Sequence, residues 1–166
     1  MPISDHDRDL MIRTIIGEAA NEPSEGQAAI AHVIMNRVAG GFGKSPSAVV
    51  LSQGQFEPWQ TRGRELAGIS KRSPQYQSVG KVVDSVTSGQ EPDFTGGATH
   101  FFNPTSQSAL GRSRPDWAKG SSLTIGSHNF YAPDNPNYNG QQAAIKAAIG
   151  TQESPDMTAI RAAISQ

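Results

Sequence analysis

The sequence contains no cysteine. This absence excludes disulfide bonds, thiolate catalysis and zinc sites with cysteine ligands. The chain also has little net charge, because 14 lysine and arginine residues are opposed by 15 aspartate and glutamate residues, which leaves a formal charge of -1. Such a balance provides no bulk electrostatic attraction to nucleic acid, and we expect no nucleic-acid partner.

Long apolar runs are missing as well. The N-terminal stretch MPISDHDRDLMIR lacks the basic segment and the following apolar stretch of a secretory signal peptide. The longest apolar runs elsewhere in the chain are too short to span a bilayer. We therefore expect no stable insertion into a membrane.

The sequence motifs of several enzyme classes are absent. There is no HExxH pair of zinc ligands, no GxSxG around a serine nucleophile and no glycine-rich phosphate loop. A zinc site would have to combine distant positions such as His100, Asp116 and His128, for which the spacing gives no support. We therefore expect neither a metal ion nor a cofactor.

With 166 residues, the chain has the length of one domain. Its 17 glycines and 11 prolines predict many turns. Apolar residues recur at helical spacing from Asp7 to Ala20, and we expect Asp5 or Asp7 to cap this helix. A second helix is predicted from Ser24 to a pair of glycines, with Ser24-Glu-Gly-Gln27 as its capping box. The two helices should form an αα-hairpin.

Further helices should begin at two Ser-Pro pairs, at positions 45–46 and 73–74, because proline suits the first helical position. Residues 53–63 are predicted to be irregular, and residues 103–122 to form a long binding or lid loop. Segments rich in aromatic and β-branched residues, at 98–102, 123–125 and 128–131, favour a small sheet. The predicted fold class is therefore α+β, mainly helical with a small antiparallel sheet.

The C-terminal tail differs in composition from the rest of the chain. Residues 134–140 predict a linker, and the segments QQAAIKAAIG and MTAIRAAISQ each predict a short amphipathic helix, the second beginning at Ser154-Pro155. We therefore expect one domain over residues 1–132. Residues 133–166 should form a linker and a C-terminal helical extension, packed on that domain or appended to it.

The stretch IGEAANEPSEGQ crowds three glutamates, Glu18, Glu22 and Glu25, between the first two helices. Glu18 falls on nearly the same helical face as Met11 and Ile15, since helical neighbours lie three and four positions apart. A carboxyl group in apolar surroundings has its pKa raised and stays protonated, as a general acid for a poor leaving group requires. The position is equally compatible with a glutamate whose carboxylate reaches water at the helix end.

The residues around Glu18 separate by role. A glycine inside a helix costs roughly 1 kcal/mol relative to alanine, so Gly17 indicates a close backbone or ligand that needs its missing side chain. Glu25 lies in the first turn of the second helix, where a carboxylate interacts favourably with the helix dipole, and we interpret it as structural. Glu22 is interpreted in the same way by a narrower margin, the alternative being a place in the same groove as Glu18.

Aromatic side chains cluster in predicted loops and strand ends, together with Asn, Gln and Arg. Stacking faces mixed with amide and guanidinium donors suit a carbohydrate groove. We expect Phe101 and Phe130 to belong to the core, whereas Trp59 and Trp117 are the better candidates for a groove. The predicted substrate-binding residues are Glu22, Gln55, Phe56, Trp59, His100, Phe102, Asn103, Trp117, His128 and Tyr131.

Four segments carry, in order and spacing, a resemblance to a known family. They are IIGEAANEPSEGQAAIAHVIMNRV, SAVVLSQGQFEPW, GGATHFFNP and DWAKGSSLTIGSHNFY. From Leu10 to Tyr131 the chain resembles the SleB/CwlJ-type cell wall hydrolases, which include spore cortex-lytic enzymes and many bacterial and phage relatives. The block GEA-x-x-EP-x-x-GQ-x-A-x-A-x-V-I-x-NR is quite specific to that family.

The resemblance implies a lysozyme-like α+β fold and cleavage of the glycan strands of peptidoglycan, with Glu18 as the essential acid. Characterised cortex-lytic members are lytic transglycosylases. In such an enzyme Glu18 would protonate the glycosidic oxygen and then take the proton of the muramic C6 hydroxyl, leaving an anhydro-sugar end. This chemistry needs no second carboxylate, unlike that of most glycosidases. The implied partner is the peptidoglycan glycan strand, and we expect a monomer.

Three other interpretations remain open. A hydrolytic muramidase would need a second carboxylate from Glu22, Glu25 or Glu57. A non-catalytic peptidoglycan-binding module would use the aromatic groove alone. A metal-dependent amidase would be built on His100 and His128.

The segment Thr105–Arg114 is expanded and basic relative to the family, which predicts an altered choice of substrate. Action on the cell wall without a signal peptide further predicts a protein that stays in the cytoplasm until a phage-type lysis system releases it, or one that is delivered on a virion.

Overall fold

A computed structural model describes residues 2–151 and shows, within that range, a mainly helical α+β fold with a small antiparallel sheet, as predicted. The helices are α1 (Asp5–Ala19), α2 (Ser24–Ala39), α3 (Pro46–Leu51), α4 (Glu57–Gly68), α5 (Pro74–Thr87), α6 (Pro104–Ala109) and α7 (Gly140–Thr151). The strands are β1 (His100–Phe102), β2 (Leu123–Ile125) and β3 (His128–Tyr131).

Helix α1 lies at the centre of the helical layer. Its apolar residues Met11, Ile12 and Ile15 are fully buried, because α2, α3, α4 and α5 all pack around it. The helix is capped by Ser4, whose hydroxyl accepts a hydrogen bond from the Asp7 backbone N–H, and not by Asp5 or Asp7 as predicted. The predicted hairpin of α1 and α2 is present, and its two helices contribute more than half of the buried residues of the hydrophobic core.

The start of α2 differs from the predicted capping box. Pro23 occupies the N-cap position and Ser24 is already helical, so the Ser24 hydroxyl makes no capping hydrogen bond. The Gln27 side chain instead donates to the carbonyl oxygens of Ala19, over 3.3 Å, and Glu22, over 3.4 Å. Gln27 thus ties α2 to the end of α1.

Two segments predicted to be irregular each contain a helix. Helix α4 begins at Glu57 with Pro58 in its first turn, and it is kinked at Arg62, whose φ and ψ of -134° and 28° are not helical. Helix α6 lies inside the predicted loop 103–122 and is capped by Asn103, whose side-chain oxygen accepts from the Ser106 backbone N–H. Both helices follow an extended N-cap residue and have a proline at their first or second position.

The sheet has the strand order β1-β3-β2 and is antiparallel throughout. Phe101 and Leu123 both pair with Phe130, which is fully buried. His100 and Phe102 of β1 and His128 of β3 lie near Glu18 at the end of α1. The sheet thereby forms one wall of the groove described below.

The first helix predicted for the tail is present as α7, which packs on β2. Gly140 at its start lies so close to β2 that an added β-carbon would be 2.7 Å from the Leu123 backbone nitrogen. The second predicted tail helix, from Ser154, lies outside the described residues. Among the helices between residues 2 and 151, none combines the length and the apolar character that a membrane span needs.

Candidate active site

A groove of about 570 Å³ opens between the C-terminal end of α1, the start of α4, the sheet and the turn that follows α6. Seven of the eleven residues predicted for the site line this groove. They are Glu18, Gln55, His100, Phe102, Asn103, Trp117 and His128.

Glu18 projects into the groove from the last turn of α1 and is half-buried. Within residues 2–151 its carboxyl group makes no hydrogen bond and no ion pair. Burial, followed by the negative charge of Glu57, raises the pKa of Glu18 to about 7, against the opposing positive charges of Arg37 and Arg62. A carboxyl group with this pKa holds its proton in part of the molecules at neutral pH, so it can both give and accept a proton there.

Gly17 allows α4 to approach the end of α1. A β-carbon at this position would lie 2.8 Å from Pro58 Cβ and 3.2 Å from the Leu66 methyl groups. The Gly17 carbonyl oxygen accepts a hydrogen bond from Arg62 Nη2 over 2.7 Å. The glycine that precedes Glu18 is therefore explained by a close packing contact with α4, which bounds the groove on that side.

Arg37 is a buried cation on the groove wall, with 6% of its surface exposed. Its Nε donates to the Thr99 carbonyl over 2.7 Å, and its Nη1 donates to the Gln55 carbonyl over 3.2 Å. The guanidinium also lies over the Phe56 ring, 4.8 Å from its centre. Burial lowers the pKa of Arg37 to about 10, and the charge of Glu18 opposes this shift. The groove thus contains a fixed positive charge that balances a Glu18 carboxylate.

Glu57 supplies the second carboxylate of the groove, and it is paired with Arg112. Arg112 Nη1 donates to Glu57 Oε2 over 3.0 Å and Nη2 donates to Glu57 Oε1 over 3.3 Å. Both side chains are about half exposed. Both oxygens of Glu57 are therefore occupied by one guanidinium.

The aromatic wall of the groove is centred on Trp117. Its ring lies 4.9 Å from that of His100, 5.9 Å from that of Phe102 and 5.7 Å from that of Tyr131. The predicted place of Trp117 in a groove is thus observed. An aromatic wall beside polar side chains is an arrangement that binds sugar rings well.

Glu22, predicted among the substrate-binding residues, does not line the groove. Its carboxylate accepts hydrogen bonds from the Ser127 backbone N–H, at 3.2 and 3.3 Å, and from the Ser127 hydroxyl. Ser127 Oγ in turn accepts a hydrogen bond from Asn103 Nδ2 over 3.0 Å. Glu22 therefore ties the turn between α1 and α2 to the β2–β3 hairpin, and its carboxylate lies outside the groove that holds Glu18.

Three predicted aromatic residues also lie elsewhere. Phe56 is 1% exposed and belongs to the core, where it packs under Arg37. Trp59 packs against the core, and its indole N–H donates to the Thr14 hydroxyl over 2.7 Å. Tyr131 is 2% exposed and contributes to a neighbouring cavity instead. Phe56, the extended residue before α4, and Trp59, within α4, both face the core, and this corrects their predicted place in the groove.

Four polar groove residues, Arg37, Ser106, Gln107 and Arg112, were not predicted for the site. The burial of Arg37 could have been predicted, because it lies seven residues after Ile30 and three after Ile34 and therefore on the same buried helical face. A cation on such a face needs a specific partner. Gln107 and Arg112 belong to the segment Thr105–Arg114, whose basic character is visible in the sequence. The sequence does not show which distant residues, such as Glu57, this segment contacts.

The two histidines considered for a metal site have other neighbours. His100 Nδ1 lies 2.9 Å from the Thr99 hydroxyl, and burial followed by the charge of Arg37 lowers the pKa of His100. His128 Nδ1 is buried without a hydrogen bond, 3.7 Å from Glu22 Oε1. In the part of the chain between residues 2 and 151, no three His, Asp or Glu side chains are grouped closely enough to hold a metal ion.

The chain is similar in sequence to two spore cortex-lytic enzymes. The spore cortex-lytic enzyme of Halalkalibacterium halodurans is 36% identical over 129 residues, which cover 76% of this chain and 35% of that protein. The spore cortex-lytic enzyme of Bacillus cereus is 32% identical over 128 residues, which cover 76% of this chain and 44% of that protein. The chain thus spans less than half the length of these relatives.

Solved structures are also similar. The catalytic domain of the Bacillus cereus SleB protein matches with a TM-score of 0.61 and 26% identity over 78% of this chain and 92% of that one. The catalytic domain of the germination-specific lytic transglycosylase SleB from Bacillus anthracis matches with a TM-score of 0.60 and 26% identity. The match covers 78% of this chain and 96% of that one. The fold is therefore lysozyme-like, as predicted. A model of the Cell Wall Hydrolase family matches residues 21–131, about two thirds of the sequence, and the chain belongs to that family.

Proposed function

We propose that this protein cleaves the glycan strands of peptidoglycan as a lytic transglycosylase, with Glu18 as the general acid and then the general base. The observation that carries the proposal is the Glu18 carboxyl group, half-buried in the groove, unpaired within residues 2–151 and with a pKa of about 7. The range matched by the family model starts just after Glu18, so its role is argued from this geometry.

The reaction uses a single carboxyl group twice. Protonated Glu18 donates its proton to the glycosidic oxygen, the bond between that oxygen and C1 of the muramic sugar breaks, and the leaving sugar departs as an alcohol. The Glu18 carboxylate then takes the proton of the C6 hydroxyl while that oxygen bonds to C1. The product has a 1,6-anhydro end, Glu18 is protonated again, and no water is consumed.

Arg37 stabilises the ionised form of Glu18 between the two steps. Its positive charge is fixed by two backbone carbonyls and does not need to move when the carboxylate forms. Preorganised charge of this kind lowers a barrier without reorganisation during the reaction. We propose further that Trp117 and Phe102 stack on the sugar rings, with Gln55, Asn103, His100 and His128 as polar contacts.

A hydrolytic muramidase is the second candidate, because Glu57 lines the same groove. In that mechanism a second carboxylate would activate water or form a covalent intermediate. Both oxygens of Glu57 accept hydrogen bonds from Arg112, which leaves this carboxylate poorly available as a base or nucleophile. The pairing therefore favours the mechanism with one acid.

Mass spectrometry of purified sacculi digested by the protein tests the proposal. We expect soluble fragments with anhydro ends from the wild type and none from Glu18→Gln. Glu25→Gln, which changes an exposed carboxylate outside the groove, should digest like the wild type. Reducing ends would assign hydrolysis instead. Freed stem peptides, undiminished digestion by Glu18→Gln, or binding to sacculi without soluble products would each overturn the proposal.

A further inference from the structure

A second cavity of about 300 Å³ adjoins the groove. The two share three lining residues, Phe102, Gln107 and Arg112, so the side cavity lies directly beside the groove. Its charged lining residues are Arg112 and Arg114, and no acidic residue between positions 2 and 151 lines it. The groove itself contains the carboxyl groups of Glu18 and Glu57.

Arg114 is held in place by a buried residue. Its Nη2 donates to the Tyr131 hydroxyl over 3.2 Å, and its guanidinium carbon lies 5.9 Å from the centre of the Tyr131 ring. Tyr131 is 2% exposed and stacks on Phe102 with ring centres 6.0 Å apart. An exposed arginine is thus fixed at the cavity by a residue of the core.

The remaining donors of Arg114 are directed to no partner within residues 2–151. Arg112, by contrast, donates two hydrogen bonds to Glu57. A planar guanidinium with free donors matches the geometry of a carboxylate. Arg114 is therefore the group in the side cavity that is best suited to bind an anion.

The wall of the side cavity is rigidly connected to α6. After that helix, the Gly111 N–H donates to the Ser108 carbonyl and the Arg112 N–H donates to the Gln107 carbonyl, both over 2.9 Å. Gly111 has a φ of +66°, the left-handed conformation that this type of helix end needs. The turn directs the chain from the helix back to the groove, so Arg112 and Arg114 both reach the side cavity.

We infer that the side cavity binds the stem peptide of the glycan strand that is being cut, with Arg114 as the partner of a stem carboxylate. The inference rests on the proposed function. Stem peptides branch from the muramic sugars and carry carboxylates, and the side cavity offers them the unpaired donors of Arg114 with no acidic lining residue between positions 2 and 151. A volume of about 300 Å³ is at the lower end of ligand pockets and accommodates a short piece of peptide.

Steady-state kinetics on two preparations of the same glycan strands test this inference. One preparation retains its stem peptides, and the other has been stripped of them by an amidase. The wild type should have a KM about fivefold lower on the peptide-bearing strands, as expected for one exposed charge-assisted contact. In Arg114→Gln the ratio of the two KM values should fall to about one, with kcat on each substrate little changed.

A matched control is Arg72→Gln, which removes an exposed arginine that lines neither cavity and should keep the wild-type ratio. Tyr131→Phe removes only the hydroxyl that holds Arg114 and should reduce the ratio in part. Peptide-bearing strands whose stem carboxylates have been converted to amides should give the wild type a KM like that for stripped strands.

Four outcomes would overturn the inference. An equal wild-type KM on both preparations, or an Arg114→Gln protein that keeps the wild-type ratio, would remove the stem-peptide site and leave the proposed function intact. An unchanged KM on amidated strands would show that charge is not recognised. Failure of the wild type to release fragments from any strand would overturn the proposed function, and this inference with it.

Discussion

Glu57 and Arg112 form an ion pair between two elements that line the groove holding Glu18, with a shortest distance of 3.0 Å. Glu57 is the first residue of α4, and Arg112 lies in the turn after α6. After burial, the charge of Glu57 is the main contribution that raises the pKa of Glu18. The ion pair therefore affects the pKa of Glu18, because Arg112 offsets part of the negative charge of Glu57.

Substitution of Glu57 and substitution of Arg112 should each move the alkaline limb of the pH–activity profile, and the two shifts should have opposite directions. Because the first step needs protonated Glu18, kcat/KM should fall as the pH rises through the Glu18 pKa of about 7. Glu57→Gln removes a negative charge and should shift this limb to lower pH by roughly half a unit. Arg112→Gln leaves Glu57 without its partner and should shift the limb to higher pH by a similar amount.

The profile should be measured from pH 5 to pH 9 on purified cell walls. Glu25→Gln serves as the control for the loss of a negative charge outside the groove. Shifts of the two variants in the same direction would contradict the electrostatic role of the pair. A loss of all activity in Glu57→Gln would assign Glu57 a direct part in the chemistry and favour the muramidase.

The stability of the fold should also depend on the ionisation of Glu18. Its pKa is raised from 4.5 to about 7 on folding, so between these values the native state binds more protons than the unfolded state. The free energy of unfolding therefore falls as the pH rises through this window. Glu18→Gln removes this penalty and should be more stable than the wild type at pH 8, by an amount on the order of 2 kcal/mol after allowance for solvent screening of a half-buried group.

Chemical denaturation of both proteins at several pH values from 4 to 8 would measure this difference. The gain of Glu18→Gln should disappear towards pH 4, where Glu18 is protonated in both states. The surface variant Glu25→Gln should differ from the wild type by no more than about 0.5 kcal/mol at any pH. A gain that does not change with pH would mean that Glu18 is not desolvated in the folded protein.

Features that depend on a few consecutive residues could be predicted from the sequence. The Ser-Pro pairs at 45–46 and 73–74 do begin α3 and α5, since the serine hydroxyl accepts from a backbone N–H and the proline needs no donor. The helical period also places Glu18 at the end of a buried face. Each of these signals acts over at most one or two helical turns.

Contacts between distant parts of the chain could not be predicted in the same way. The Glu57–Arg112 pair joins positions 55 residues apart, and the hydrogen bonds of Glu22 to Ser127 span 105 residues. Trp59 illustrates the same limit, because its hydrogen bond to Thr14 exists only once α4 has packed on α1. Residue type and local spacing identified the aromatic and acidic candidates, but the tertiary packing decided which of them face the groove.

The structural role of Glu22 predicts a difference between two glycine substitutions. Gly126 and Gly120 both have positive φ, 56° and 75°, so alanine at either position should cost about 1 kcal/mol of backbone strain. An added β-carbon at Gly120 meets nothing within 4 Å, whereas at Gly126 it would overlap Glu22 Oε2 and displace the carboxylate from Ser127. Gly126→Ala should therefore lower the free energy of unfolding by about 1 kcal/mol more than Gly120→Ala, as measured by denaturation. In a Glu22→Ala background this excess should vanish, since the contact is already lost. Equal costs of the two glycine substitutions in the wild-type background would show that the hydrogen bonds between Glu22 and Ser127 do not stabilise the fold.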